Sequence, residues 1–191
     1  MADENSRELI IEKAISLFAQ KGYEGVGVQE ICEKSGITKP TLYYFYKSKA
    51  GLLQSICETK GNELLQLISK AAEYEHDFIK GLTQILLAEI QFAKTNPDFF
   101  NLHYVLLNAP DNSEGKAVYS DLIKKIDAVF EDFFLNSANE FGNMKSKESL
   151  YACLYHNNVV SVARMCVGNK LTLNDQTVYQ IVHSFVYGVA N

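Results

Sequence analysis

Proline is nearly absent. Only Pro40, Pro97 and Pro110 occur, each where a helix would start or break, so little interrupts helical runs elsewhere. Cysteine is sparse too. Cys32, Cys57, Cys153 and Cys166 form no C-x-x-C pair, which points to free thiols in a reducing compartment, not to a disulfide framework or a zinc clip. The four histidines, at 76, 103, 156 and 183, have no ligand-type partner four residues away. No glycine-rich phosphate loop, nucleophile elbow or paired-carboxylate signature appears, so no catalytic role, cofactor or metal is expected. Basic charge is not in excess: the net charge is −5, unlike the strongly basic balance of a nonspecific nucleic-acid binder. No apolar run is long enough to span a bilayer, and the opening residues, MADENSRE, are too acidic and polar for a signal peptide. The expectation is a cytoplasmic protein with no membrane partner.

What is present is helix-forming sequence, 47% apolar, and it predicts an all-α fold. Ser6 to Gln20 repeats apolar residues at helical spacing, with Asn5 as N-cap and Lys21-Gly22 as the stop. Val28 to Ser35 reads as a second helix, with Val28, Ile31 and Cys32 inward and Gly36 ending it. Ile37 is the apolar turn residue. Thr38 is placed to cap a third helix, and Pro40 sits in its first turn, where a missing N–H costs nothing. Leu42 and Phe45 would face one core, which leaves Thr41, Tyr43 and Tyr44 outward beside Lys39, Lys47 and Lys49. Hydroxyls, aromatics and lysines on one short helix can bond phosphates and touch base edges. This is the order of a helix-turn-helix DNA reader.

The segments Gly22-Tyr23, Val28-Gln29-Glu30-Ile31, Gly36-Ile37-Thr38, Thr41-Leu42-Tyr43-Tyr44-Phe45 and Lys47-Ser48-Lys49, with Leu52-Leu53, resemble the head of the tetracycline-repressor (TetR) family of bacterial transcriptional regulators. The resemblance covers roughly the first 55 residues. It implies that the third helix enters the major groove of double-stranded operator DNA. It makes Lys39, Pro40, Thr41 and Tyr44 candidate base contacts, Tyr43 and Lys49 candidate phosphate contacts, and adds Gln29 and Thr38 to the DNA-binding set. One departure stands out. Many relatives carry Thr or Ser at the start of the second helix, where Val26-Gly27-Val28 stands here; Gly27 can cap but offers no hydroxyl.

Behind the head, helices are expected over Ala50–Ala72, Asp77–Thr95, Pro97–Asn108, Glu114–Asn136, Lys147–Val167 and Asp175–Gly188, with a loop over Gly142–Ser146. Glu73 to Asp77 reads as a solvated acidic loop. Val159 to Val162 is β-branched, yet its helical surroundings favour helix. The last two helices are apolar on more than one face, through Val159, Val162, Val182, Phe185 and Val189 among others. Such helices suit a homodimer through residues 147–188, as the resemblance also implies, and two copies would read two half-sites. The balance of charge favours pairing: residues 1–53 carry seven basic and seven acidic residues, so a single head has no net attraction for DNA. Large aromatics crowd the middle. Most should be core, but Phe92, Phe100, His103, Tyr104, Phe130, Tyr151, Tyr155 and Asn158 are candidates to line a pocket for a small-molecule effector. The expected organisation is a DNA-binding domain over 1–49 and a larger ligand-binding and dimerisation domain over 50–191. The expected function is a ligand-responsive transcriptional regulator, a repressor released from a pseudo-palindromic operator by its effector. The alternative is a helical ligand-binding or protein-interaction module whose head no longer reads DNA.

Overall fold

The computed structural model describes residues 2–138, 140 and 144–188, with side chains described from Glu4 onward. The expectations for Gly142 and Val189 lie outside the described residues. All regular structure among the described residues is helical. The elements are α1 (Ala2–Lys21), α2 (Val28–Ser35), α3 (Lys39–Tyr46), α4 (Lys49–Ile56), α5 (Asn62–Ala71), α6 (Phe78–Thr95), α7 (Pro97–Leu107), α8 (Glu114–Ala138), α9 (Glu148–Val167) and α10 (Asp175–Tyr187). By packing the chain forms two units: Met1–Glu63 with Asp98–Ile123, and Leu64–Pro97 with Lys124–Asn191. The boundary expected between residues 49 and 50 falls inside the first.

In the first unit, α1 sinks Ile10, Ala14 and Phe18 completely. The helix starts at Ala2, so Asn5 lies inside it and does not cap it. Glu4 occupies the first turn, where negative charge offsets the helix dipole. Helix α2 has the expected bounds. Gly36 closes it at φ 65°, ψ 28°, a left-handed conformation that glycine adopts without a Cβ penalty. The Ile37 amide then donates to the Cys32 carbonyl at 3.0 Å, the six-to-one bond that satisfies a terminal carbonyl.

Helix α3 is capped by Thr38, whose side chain accepts from the Thr41 amide at 3.4 Å. Leu42 is fully buried, but its core partner is Tyr46, not Phe45. With about 3.6 residues per turn, position i+4 lies nearer the face of i than i+3 does. The Tyr46 hydroxyl donates to the Arg7 carbonyl at 2.9 Å, while Phe45 is half-buried with the Arg7 guanidinium 5.3 Å from its ring centroid.

The junction from α3 to α4 is tight. Lys47 sits at φ 65°, and the Ser48 amide donates to the Tyr46 carbonyl at 2.7 Å, closing a three-residue γ-turn of a rare and strained kind. Ser48 Oγ accepts from the Gly51 amide at 2.9 Å. A Cβ on Gly51 would stand 2.0 Å from the Tyr46 carbonyl oxygen, so only glycine fits there. The helix expected over 50–72 is interrupted by a π-helical turn, Cys57–Gly61, between α4 and α5.

In the second unit, α6 starts at the Asp77 cap, whose carboxylate accepts from the Lys80 amide at 2.9 Å. Its most extensive partner is α9. Phe78 stacks on Phe133 with centroids 5.8 Å apart, and Tyr155 meets Phe185 at 4.7 Å. The Tyr155 hydroxyl, fully buried, donates to the Leu82 carbonyl at 2.6 Å. Burial drives its pKa well above the ordinary tyrosine value. Val159 to Val162 are helical, within α9. The acidic 73–77 loop is pinned more than expected: Tyr74 Oη donates to Glu140 at 2.8 Å, and Lys80 pairs with Glu75 at 2.5 Å. No helix among the described residues is long and apolar enough to cross a membrane.

Replacing Gly51 by alanine drives a methyl into a backbone carbonyl. It should cost about 1–3 kcal/mol, as overpacking does, and lower the melting temperature by roughly 2–4 °C per kcal/mol. Thermal denaturation followed by circular dichroism checks this; an unchanged midpoint would contradict the tight junction.

Candidate DNA-reading surface and helical interior

The fold brings the sequence-predicted DNA residues onto α2 and α3 of the first unit. Gln29, Thr38, Lys39, Pro40, Tyr43 and Tyr44 are exposed, and Thr41 is half-buried. Tyr44 stands out at 71% exposure, a large ring held in water with no core to fill. Its neighbour Phe45 braces it edge-on at 5.2 Å. Thr38 and Thr41 share a hydroxyl–hydroxyl bond of 2.9 Å, which positions both oxygens at the N-terminal end of α3. Gln29 donates to Glu33 at 2.8 Å one turn along α2.

Lys49 differs from the others. Its ammonium donates to the carbonyls of Tyr23 at 3.0 Å and Val26 at 3.2 Å, and lies 4.1 Å from the Tyr23 ring centroid. The phosphate contact that the resemblance implies for Lys49 therefore competes with an internal role. The reason is geometric. Ser48 and Gly51 start α4 beside the turn that follows α1, and the first side chain of α4 reaches that turn's carbonyls.

Tyr23 is the centre of this arrangement. It is 2% exposed, packs its ring on Phe18 at 5.1 Å, and donates its hydroxyl to Glu114 of α8 at 2.8 Å. Glu24 accepts from the Gly115 amide at 3.0 Å. Burial first, and then the bond to Glu114, push the Tyr23 hydroxyl pKa far upward. The turn between α1 and α2 is thus tied both to the start of α4 and to the start of α8. The partners are 91 residues apart in sequence, so no local pattern announces them.

The eight effector candidates divide between the units. In the first, Phe100 and His103 are fully buried and Tyr104 is half-buried. His103 Nδ1 pairs with the Tyr119 hydroxyl at 2.8 Å. In the second, Phe92, Phe130 and Tyr155 are buried, while Tyr151 and Asn158 are half-buried. Tyr151 packs 6.3 Å from Phe134. A separate groove of ≈ 520 Å³ lies between α6 and α10, lined by Ile79, Thr83, Leu87, Tyr179, His183 and Tyr187, among others. None of the eight candidates lines it. Tyr179, His183 and Tyr187 form a ladder there, with centroids 5.1 and 4.6 Å apart. Their i, i+4, i+8 spacing was visible in the sequence, but nothing in it says that the ladder faces a groove. Of the thiols, Cys32, Cys57 and Cys166 are buried, and burial raises the pKa of all three, that of Cys57 to about 12. Thiols so held are poor nucleophiles.

Should Lys49 act mainly as this staple, Lys49→Met will lower the melting temperature by several degrees while leaving the salt dependence of DNA binding nearly unchanged. A calorimetric scan beside a salt titration of binding separates the two; a salt slope reduced by about one with an unchanged melting temperature would assign Lys49 to phosphate.

Residues 10–56 match the family model described as bacterial regulatory proteins, tetR family. The HTH-type transcriptional regulator YerO of Bacillus subtilis is 29% identical over 139 residues, 70% of this chain and 47% of YerO. The match thus spans about half of YerO's length. The biofilm operon icaADBC HTH-type negative transcriptional regulator IcaR of Staphylococcus epidermidis is 28% identical over 144 residues, 68% of this chain and 76% of IcaR. The solved structure of the transcriptional regulator FadR from Bacillus subtilis in complex with stearoyl-CoA superposes with a TM-score of 0.75 at 15% identity, covering 95% of this chain and 98% of FadR. Residues 10–56 thus match the head of the tetR family of bacterial regulatory proteins, and the chain shares the fold of that solved structure along nearly all of its length.

Proposed function

We propose that the chain is a dimeric transcriptional repressor that reads a pseudo-palindromic operator and is released from it by a small organic effector. The observation that carries the DNA-reading role is the exposure of Tyr43 and Tyr44 on α3, beside Thr38, Lys39 and Pro40. A helix with only a structural role gains nothing by holding two large rings in water. On this reading Lys39, Pro40, Thr41 and Tyr44 meet base edges, Tyr43 meets phosphate, and Gln29 and Thr38 contribute from the ends of the turn. Lys47, exposed, supplies phosphate charge, and Lys49 adds to it only where its ammonium leaves the Tyr23 and Val26 carbonyls.

Dimerisation supplies what a single head lacks. Residues 1–53 are neutral overall, so one head attracts DNA weakly and two linked heads gain by effective concentration. The surface available for pairing is on α9 and α10. Leu150, Leu154 and Met165 of α9 are 56%, 51% and 42% exposed, and α10 buries only Val182 fully among its 13 residues. Apolar helices left this uncovered favour a second copy over water. IcaR's name as a negative regulator supports the repressing sign. The stearoyl-CoA bound to FadR supports an effector with a large apolar portion. Such a molecule suits the aromatic interior of the second unit, with Tyr151 and Asn158 as half-buried polar handles. About 2.7 kcal/mol of differential effector affinity weakens operator binding a hundredfold.

Selection of bound sequences from random duplex DNA should return a symmetric motif of two half-sites. Recovery of asymmetric or random sequence would remove the proposal. Thr41→Ala and Tyr44→Ala should each relax preference at one position by about 1–3 kcal/mol. Leu154→Glu should convert the dimer to monomer in sedimentation and weaken operator binding at the same time; a dimer unchanged by it would move the interface elsewhere.

A further inference from the structure

Glu89 lies on α6 and is fully buried. Neither of its carboxylate oxygens has a hydrogen-bond partner among the described residues. An ionised carboxylate so placed costs several kcal/mol unless a cation or donors compensate it, and an orphaned buried group of this kind calls for a missing water or ion. Facing it from α9 is His156, 5% exposed, with a ring nitrogen within 4.8 Å of a Glu89 carboxylate oxygen. The imidazole is fixed from behind. Its Nδ1 pairs with Asp127 Oδ1 of α8 at 3.0 Å, and its ring stacks on Phe130 at 4.5 Å and 22°. The opposite nitrogen, Nε2, is buried. This is the carboxylate–histidine arrangement that sets the tautomer and aims the second nitrogen at a metal.

We propose that Glu89 and His156 are two ligands of a buried divalent transition-metal ion of the zinc class, with Asp127 as the positioning residue behind His156. One imidazole and one carboxylate suit zinc or its first-row neighbours better than calcium or magnesium, which prefer all-oxygen shells. Zinc takes four ligands, so water or further donors complete the shell. Burial holds the Glu89 carboxyl near 7, with His156 pulling the other way. Nothing local announces the site, because 67 residues separate the two ligands and neither has a ligand-type partner four residues away. The site does not depend on the DNA-reading proposal and stands or falls separately from it.

The test uses the full chain, stripped with chelator and equilibrated with Zn²⁺, with bound metal counted by mass spectrometry and Co²⁺ substitution followed by visible absorption. Wild type should hold about one ion per chain. Glu89→Gln and His156→Gln should each lose most of it, and Asp127→Asn should weaken it about 10–100-fold. Glu89→Gln removes a buried ionisable group, so without metal its melting temperature should not fall below that of stripped wild type. Zn²⁺ should raise the wild-type melting temperature and leave the variant's unmoved. Should Glu89→Gln melt early, loss of the Co²⁺ band in His156→Gln carries the test alone. Retention of no ion at micromolar Zn²⁺, or equal binding by wild type and both variants, overturns the proposal.

Discussion

The reading head depends on one buried tyrosine. Tyr23 is the first ordered side chain after α1, and three independent forces meet on it: its ring packs on Phe18, its hydroxyl donates to Glu114, and the Lys49 ammonium covers its face while bonding its carbonyl. A cation over a tyrosine ring contributes about 0.5–2 kcal/mol, and hydrogen bonds to charged groups about 1.5–3 kcal/mol each. Lys49 is half-exposed, so its share belongs at the low end. Even so, this cluster fixes where α2 begins and where α4 begins, and α3 hangs between them by two short turns. The strained γ-turn at Lys47 and the close approach at Gly51 are tolerated because both flanking helices are anchored.

The same economy appears in the electrostatics. A neutral head does not search DNA by charge alone, and its lysines are few. Lys49 faces inward, which leaves Lys39 and Lys47 as the exposed cations of the α3 region. On the proposed reading, specificity rests on a short row of hydroxyls and rings, and affinity on the pairing of two such rows. Weak single heads make binding sensitive to their spacing. A change in that spacing is what an effector in the helical interior would have to produce.

Much of the head was legible in sequence because its signals are local. Gly36, Thr38 and Pro40 each impose a backbone conformation within four residues, and the end of α2 and the start of α3 follow from them. Phe45 and Tyr46 were harder: adjacent aromatics leave the choice of core residue to the exact helical phase, which Leu42 alone does not fix. The Lys49 staple and the Tyr23–Glu114 bond were not legible, because they join residues far apart in the chain. The same limit hid Glu89 and His156. It also made the effector candidates unspecific, since a core aromatic and a pocket aromatic look alike until burial is known.

The most direct measurement is hydrogen exchange on Tyr23→Phe, which removes the hydroxyl and keeps the ring that Lys49 covers. If the Tyr23 cluster holds the head, amides of residues 28–46 and the Gly115 amide exchange faster in the variant, while amides of α6 and α9 keep their protection. Unchanged exchange across 28–46, with only the immediate neighbours of Tyr23 affected, would show that the head is held by its own small core, contrary to the role given to Tyr23.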